Sequence, residues 1–267
     1  MKNIGFTLLA AVVIGTIIGI NIPDYEQLPE INPPPVVLQS SDTNCLYGCP
    51  LGKPENKIIK REIYTLSNNR ETKFADWVAY HVTKDTIGPS QSRNWKADPD
   101  LLDEETLEPD DYKGANAELK TDRGHQVPLA SFSGTEHWAM TNYLSNITPQ
   151  KSNLNQGAWV KLENAVRETV LEGTDLYVMT GPIYDEFEGI LPNADEDHII
   201  PSGYWKVITT KDARSIAFIF DQDLPRSANY CDQILTLSLV EELSGLNIHP
   251  EIENISLKND LSIVKCP

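Results

Sequence analysis

The sequence predicts an α+β domain, and three observations lead to that class. Short runs rich in β-branched and aromatic residues predict several strands. One long stretch repeats its apolar residues at helical spacing. The predicted strands and helices do not alternate regularly along the chain, which favours an α+β arrangement over a doubly wound parallel sheet.

The first two predicted strands lie in the N-terminal half of the chain. Ile58–Leu66 and Trp77–Val82 are rich in the residue types that fit a pleated, half-buried surface. Ser67, Asn68 and Asn69 stand between them and are typical turn residues. The pattern therefore predicts two strands joined through a turn at 67–69.

The longest predicted helix is Leu154–Leu171. Its apolar residues recur at helical spacing, and Gly173 follows as a stop signal. The residues that carry this period are Ala158, Leu162, Ala165, Val166 and Val170.

The C-terminal part of the chain predicts three more strands and a short helix. The strands are Asp175–Thr180, Tyr204–Ile208 and Ser215–Asp221. Val240–Ser244 lies in a short helix that ends at Gly245.

The N-terminal segment is predicted to lie outside the folded domain. In residues 1–22, a basic head precedes an apolar run from Ile4 to Ile20, as in a signal peptide. This run is long for a signal but short for a membrane span, which needs about 20 residues. Export to a secreted or periplasmic location is favoured, and an N-terminal anchor stays open. Residues 23–44 predict a Pro-rich linker, and residues 45–267 the domain itself.

The chain has four cysteines, which in an exported protein predict two disulfides. Three pairings exist, and Cys45–Cys49 with Cys231–Cys266 is the most economical. A metal half-site at the first two cysteines is an alternative, but no Cys or His pair of matching spacing follows.

The formal net charge of −17 argues, taken alone, against a nucleic-acid partner, because such domains are usually basic. It fits a protein that stays soluble outside the cell. A local positive site can nevertheless exist within a negative envelope.

The segment Thr121–Gln126 carries the residues with the clearest chemistry. His125 lies two residues from Arg123, with Gly124 expected as a flexible joint between them. A neutral imidazole can take a proton from water near pH 7, and a guanidinium fork matches phosphate oxygens. This pair indicates phosphodiester cleavage, although Asp-Arg-Gly-His alone is more often a surface turn.

Two motifs downstream make the pattern specific. Asn-x-x-Pro-Gln begins at Asn146, and Leu-Asn-Gln-x-x-Trp begins at Leu154. Together with Asp-Arg-Gly-His and the upstream run Arg93-Asn94-Trp95-Lys96, they resemble the DNA/RNA non-specific endonuclease family. The resemblance extends from about Cys45 to the C-terminus and is closest up to Gly157.

The resemblance implies a ββα-metal core, with a central antiparallel sheet flanked by helices. A β-hairpin would present His125 as the general base, and the following helix would present Asn155 as the single protein ligand to Mg²⁺. Magnesium prefers oxygen ligands and keeps several waters, and Mn²⁺ stays open as an alternative. Glu163 would hold one of the waters on the metal.

The resemblance also implies the residues that meet the substrate. Arg93 and Arg123 would contact the scissile phosphate and offset its growing charge. Gln156 and Arg167 are weaker candidates for the same surface.

Each of these residues has a simpler interpretation. Asn155 is also a favoured helix N-cap residue. Glu163 and Arg167 are spaced as an exposed i,i+4 ion pair. Trp95 is expected in the core, and Asp122 is expected to orient its loop or Arg123.

The expected function is therefore an exported Mg²⁺-dependent endonuclease that hydrolyses DNA and RNA. Little sequence specificity is expected because contacts to phosphate and sugar carry no direct base information. The resemblance implies products that end in 5′-phosphate. It also leaves open whether the protein forms a homodimer. A membrane is an expected partner only if the N-terminal segment is uncleaved. The alternatives are a nuclease selective for one nucleic acid and a non-catalytic extracellular nucleic-acid-binding protein on the same fold.

Overall fold

The centre of the fold is an eight-stranded sheet in the computed structural model, which describes residues 42–252 and 257–266. The strands, in chain order, are β1 (Lys57–Lys60), β2 (Thr65–Asn68), β3 (Ala75–Val82), β4 (Thr121–His125), β5 (Ile147–Lys151), β6 (Leu176–Ile183), β7 (Gly203–Thr209), β8 (Arg214–Asp221), β9 (Ile234–Leu235) and β10 (Lys258–Asn259). The sheet runs β1-β2-β3-β6-β7-β8-β10, and β9 also pairs with β8. Its pairs are antiparallel except for β8 with β10. The strands β4 and β5 form a separate antiparallel pair.

Helices lie on both sides of this sheet and are mostly short. They are α1 (Ala115–Leu119), α2 (Leu129–Phe132), α3 (Ser152–Leu154), α4 (Val160–Leu171) and α5 (Leu237–Ser244). A π-helical segment, Asn155–Trp159, joins α3 to α4. Single 3-10 turns occupy Lys84–Thr86, Asp103–Glu105, Trp138–Asn142, Leu144–Asn146 and Tyr230–Gln233. The α+β class with a central antiparallel sheet is confirmed.

The prediction of one strand over Ile58–Leu66 is wrong, because that segment is a β-hairpin. β1 and β2 pair antiparallel, and the chain reverses at 61–64, where the Arg61 backbone N–H donates to the Tyr64 carbonyl at 2.9 Å. The buried Arg61 guanidinium also bonds to Asp98 and Asp100. The predicted turn at 67–69 is therefore shifted, since β2 continues through Asn68.

The helix predicted over Leu154–Leu171 has the right span but is not a single α-helix. It begins at Ser152 and changes to π-helical geometry before α4. Gly157 has non-helical dihedral angles there (φ −111°, ψ −115°), and a Cβ at this position would lie 2.8 Å from the Arg226 carbonyl oxygen. The close approach of a neighbouring loop therefore requires glycine at the kink.

The core lies on both faces of the sheet because successive residues of a strand point to opposite sides. On one face, Val78 and Tyr204 pack with Leu162 of α4. On the other face, Trp77 and Trp205 pack in the cluster that contains Val240 of α5. Full burial of one such aliphatic side chain stabilises the fold by about 1.5–3 kcal/mol. The sheet therefore provides a rigid support for α4.

Both predicted disulfides are confirmed. Cys45 bonds to Cys49, and Cys231 bonds to Cys266. The second bridge attaches the C-terminal segment to the turn after β8.

The predicted signal or anchor at 1–22 and nearly all of the linker at 23–44 lie outside the described residues. Asp42 and Asn44, at the end of that linker, are buried and hydrogen-bonded to Thr65. Within 42–252 and 257–266, no helix has the length and apolar character needed to cross a membrane.

Candidate active site

The strands β4 and β5 and the helical segment that follows form the predicted ββα unit. Arg123 faces Pro149 across the pair, and His125 faces Ile147. Ser152 begins α3 directly after β5 ends at Lys151. The fold thus brings β4 and the start of the long helix side by side, although the two are about thirty residues apart in the chain.

All the predicted site residues line one cavity of about 650 Å³. They are Arg93, Arg123, His125, Asn155, Gln156, Glu163 and Arg167. Three different parts of the chain contribute to this set, namely the loop before α1, β4, and the helix from α3 to α4. The cavity is therefore formed by segments that lie far apart in the sequence.

His125 carries the features expected of a base. Its Nε2 lies 3.4 Å from Asn142 Oδ1, and its ring lies 5.1 Å from the Trp95 ring between centroids. Burial, together with the positive charge of Arg93, lowers the pKa of His125 to about 4, although the bond to Asn142 acts in the opposite direction. The imidazole is consequently neutral at pH 7 and able to accept a proton.

Asp122 lies in the wall of the cavity and accepts hydrogen bonds from several neighbouring side chains. Four side chains donate to its carboxylate: Asn155 at 2.9 Å, Gln156 at 2.8 Å, Ser152 at 2.7 Å and Asn116 at 3.1 Å. Burial acts to raise the pKa of Asp122, but these hydrogen bonds outweigh it and lower the pKa below its ordinary value. Of the two expected roles of Asp122, orienting its loop or Arg123, the second is wrong, because the carboxylate binds Asn116, Ser152, Asn155 and Gln156 instead.

Arg123 is held by a carbonyl and two aromatic rings. One of its terminal nitrogens donates to the Pro109 carbonyl at 2.9 Å. The guanidinium carbon lies 5.1 Å from the Tyr112 ring centroid and 5.7 Å from that of Trp95. Its buried Nε has no hydrogen-bond partner among the described residues. These contacts fix the cation without neutralising it, since none of them is a carboxylate.

Glu163 and Arg167 do not form the exposed ion pair that their spacing suggests. Arg167 donates to Asn164 and, at 3.4 Å, to Ser131. Burial raises the pKa of Glu163 above its usual value, while the positive charges of Lys206 and Arg167 act in the opposite direction. Glu163 therefore faces the cavity as a partly desolvated acid beside two cations.

Lys206 is a buried cation directly behind this acid. Its side chain on β7 is 1% exposed, and its Nζ lies 3.9 Å from the Trp159 ring centroid. No hydrogen bond reaches Nζ from any described residue. Burial lowers the pKa of Lys206 to about 8, and the charge of Glu163 opposes this shift.

The donor set at Asn155 fits a divalent cation. Asn155 has helical dihedral angles (φ −56°, ψ −46°), so the N-cap alternative is wrong. Its Nδ2 donates to Asp122, whereas within the described part of the chain no hydrogen bond reaches its Oδ1. An unengaged amide oxygen in a cavity that also holds Glu163 suits Mg²⁺, which takes few protein ligands and keeps its waters.

Comparison with known proteins identifies the family. A profile of the DNA/RNA non-specific endonuclease family matches residues 40–254. The chain belongs to this family. It is 49% identical over 231 residues to a nuclease of Serratia marcescens, in an alignment that covers 83% of this chain and 86% of that protein. It is 29% identical over 224 residues to nuclease C1 of Cunninghamella echinulata, covering 76% of this chain and 86% of that one.

A solved structure independently supports the architecture. The fold is similar to a chain in the crystal structure of the EndoG/EndoGI complex, with a TM-score of 0.65 and 24% identity. The match covers 78% of this chain and 90% of that one. The ββα-metal class is thereby confirmed, and family membership assigns the chain the activity of an endonuclease acting on nucleic acid.

The charges around the cavity differ from the overall charge of this endonuclease. Four arginines line the cavity, whereas Asp122 and Glu163 are the carboxylates in its wall. The arginines are Arg93, Arg123, Arg167 and Arg226. A site of local positive charge therefore exists within a chain whose formal net charge is −17.

Sequence reasoning missed four residues of this site. Trp95 does more than pack in the core, because its ring contacts both His125 and the Arg123 guanidinium. Asp122 belongs to Asp-Arg-Gly-His, but its contacts with the helix residues were not expected. Lys206 and Arg226 had no motif that pointed to their positions; a lysine inside an otherwise apolar strand was the one available signal. Gly124 is not a flexible joint either, since it lies buried within β4.

Proposed function

We propose that this protein is an exported Mg²⁺-dependent endonuclease that cleaves DNA and RNA with little sequence preference. The single observation that carries this proposal is the convergence of a neutral His125, the Asn155 amide oxygen and the Arg123 guanidinium on one cavity. Hydrolysis of a phosphodiester needs a base, a group that stabilises the leaving oxygen and cations that meet the phosphate.

His125 acts as the general base. When its Nε2–H donates to Asn142 Oδ1, Nδ1 is the nitrogen left to accept a proton from the attacking water. The low pKa of His125 keeps the imidazole in its proton-accepting form throughout the physiological range.

Asn155 would hold the cation through Oδ1, and Glu163 would accept a hydrogen bond from one of the waters on the cation. The chemistry that a bound Mg²⁺ would supply here is polarisation of a phosphoryl oxygen and stabilisation of the leaving 3′ oxygen, which would give a product that ends in 5′-phosphate. Mn²⁺ is the alternative cation because it accepts the same oxygen ligands.

Arg93 and Arg123 bind the non-bridging oxygens of the scissile phosphate. Arg123 is already immobilised between two rings, so that little side-chain entropy is lost on binding. Gln156 and Arg167 contact the same strand further along the cavity wall. These contacts reach phosphate and sugar, which agrees with low sequence preference.

Two disulfides support an oxidising location outside the cytoplasm. Cleavage of the N-terminal segment and formation of a homodimer stay predictions, which N-terminal sequencing of the exported protein and light scattering would test.

The deciding experiment compares the wild type with His125→Ala on plasmid DNA, single-stranded DNA and RNA in parallel. Wild type is expected to cleave all three, and the variant to lose several orders of magnitude in rate with an unchanged circular dichroism spectrum. Unchanged activity of the variant contradicts the base role. Cleavage of one nucleic acid alone supports the selective nuclease, and binding without cleavage by wild type supports the non-catalytic alternative.

A further inference from the structure

A second cavity adjoins the catalytic one. It has a volume of about 720 Å³, within the range of about 300–1,000 Å³ typical of ligand sites. Asn116 and Gln156 line both cavities, so the two meet along these side chains. A strand held in the catalytic cavity therefore has an adjoining space into which it can continue.

The wall of this second cavity carries groups that match a nucleotide. Lys120 is exposed; its ammonium donates to the Ala117 carbonyl at 2.8 Å and forms no ion pair with any described residue. The Asn153 side chain is exposed and makes no hydrogen bond within the described part of the chain. Leu119 and Leu224 add apolar surface. A cation, an amide and apolar side chains suit phosphate, base edge and base face respectively.

The other lysine in this wall is not available to a phosphate in the same way. Lys151 bonds to Glu188 at 3.0 Å and to Asp223. These two carboxylates neutralise its charge and engage two of its three N–H donors. Lys120 is therefore the cation of this cavity that can bind a substrate anion.

The loop at 222–226 borders both cavities and is firmly held. Gln222 is fully buried, donates to the carbonyls of Pro149 and Pro201 at 2.8 and 3.0 Å, and accepts from the Lys151 backbone at 2.8 Å. At the other end of the loop, the Arg226 backbone approaches Gly157. The loop is consequently fixed at both ends by buried contacts.

Arg226 extends from this fixed loop at the rim of the catalytic cavity. Its side chain is exposed, and no ion pair or hydrogen bond to it exists within residues 42–252 and 257–266. A preorganised backbone with a free guanidinium is suited to bind a phosphate, since few interactions must be broken first.

We propose that the second cavity is a nucleotide-binding subsite for the strand being cut, with Lys120 and Arg226 as contacts to phosphates that flank the scissile one. The proposal rests on the proposed function and adds a substrate preference to it. A dinucleotide with one phosphodiester and no terminal phosphate offers no flanking phosphate, whereas a longer strand reaches both cations. Cleavage efficiency should therefore increase with strand length.

The test uses Lys120→Gln and Arg226→Gln, which remove charge but keep most of each side chain. Lys113→Gln is the matched control, because Lys113 is also exposed but pairs with Asp110 outside both cavities. Substrates are a dinucleotide with one phosphodiester and a 12-nucleotide single strand. Each variant is expected to lose about tenfold in kcat/KM on the 12-mer, with a clearly smaller loss on the dinucleotide.

Salt dependence gives a second measure. Loss of one phosphate contact should reduce the slope of log binding constant against log salt by roughly 0.7–1 for either variant, but not for Lys113→Gln. Binding of a labelled 12-mer in EDTA measures this without cleavage. If wild type cleaves neither substrate, the proposed function fails while the binding assay still tests the subsite. Equal losses on both lengths, or variants that bind the 12-mer like Lys113→Gln, overturn the subsite.

Discussion

Replacement of Asp122 by alanine should weaken metal binding, although Asp122 is not itself a proposed ligand. Its Oδ2 accepts from Asn155 Nδ2 and Gln156 Nε2, and its Oδ1 accepts from Ser152 and Asn116. The first contact fixes which end of the Asn155 amide faces the cavity. Without it, the amide can rotate and present nitrogen in place of oxygen.

The size of the effect follows from that one hydrogen bond. A bond to a charged acceptor contributes about 1.5–3 kcal/mol, and each 1.4 kcal/mol corresponds to a factor of ten. The apparent affinity of the Asp122→Ala variant for Mg²⁺ should therefore fall about 10–100-fold, the range typical of residues that orient metal ligands. Asp122→Asn should lose less, since its amide oxygen can still accept from Asn155 while its nitrogen faces the Ser152 hydroxyl.

The assay is the initial rate of DNA cleavage as a function of Mg²⁺ concentration. The half-saturating concentration is expected to increase in the order wild type, Asp122→Asn, Asp122→Ala, with much of the rate recovered at high Mg²⁺. Ser152→Ala is the control, because it removes a bond to Oδ1 and leaves the contact to Asn155 intact. A folded Asp122→Ala variant with an unchanged half-saturating concentration would refute the orienting role.

Three further predictions concern ionisation and covalent structure. If His125 is the base, kcat/KM should rise with pH around a midpoint near 4, because His125 must lose its proton to act; a midpoint near 6.5 would contradict the low pKa. Because of Lys206, the free energy of unfolding should increase as pH rises from 8 to 10.5, since over that window the unfolded chain binds more protons than the native one. In urea titrations at pH 8 and pH 10.5, wild type should gain about 3 kcal/mol relative to Lys206→Met. The same pH dependence in both proteins would exclude this effect. Cys231→Ser should lower the free energy of unfolding by about 3–4 kcal/mol, because it opens the loop that the bond to Cys266 closes. Denaturant titrations without reductant measure this, and a loss below about 1 kcal/mol would show that the bridge constrains the unfolded chain little.

Motif spacing predicted which residues share a cavity better than local patterns predicted the strands. The seven predicted site residues line one cavity, six of them on β4 or on the helical segment from α3 to α4, whereas Arg93 comes from the loop before α1. β4 and β5 themselves have no clear alternation of apolar and polar residues, so strand periodicity does not detect them. The resemblance to the family supplied that pair of strands.

The parts that sequence reasoning missed depend on long-range contacts. The hairpin at 61–64 is stabilised by Arg61 reaching Asp98, which lies 37 residues away in the chain. The kink at Gly157 depends on the loop that carries Arg226. The buried environment of Lys206 forms only when β7 packs behind α4. Such contacts have no local periodicity, because each partner lies in a different element.

The geometry of β4 explains the order of residues in Asp-Arg-Gly-His. Side chains alternate across a strand, so Arg123 and His125 share one face, and Asp122 and Gly124 share the other. Alternation therefore places the proposed base beside the proposed phosphate-binding cation, while the aspartate is directed to the helix residues that donate to it. At Gly124, a Cβ would lie 2.6 Å from the Cβ of the buried Gln150 on the neighbouring strand. A larger residue would push the strands apart and carry Arg123 and His125 with it, so the glycine maintains the position of both proposed catalytic groups by allowing close packing.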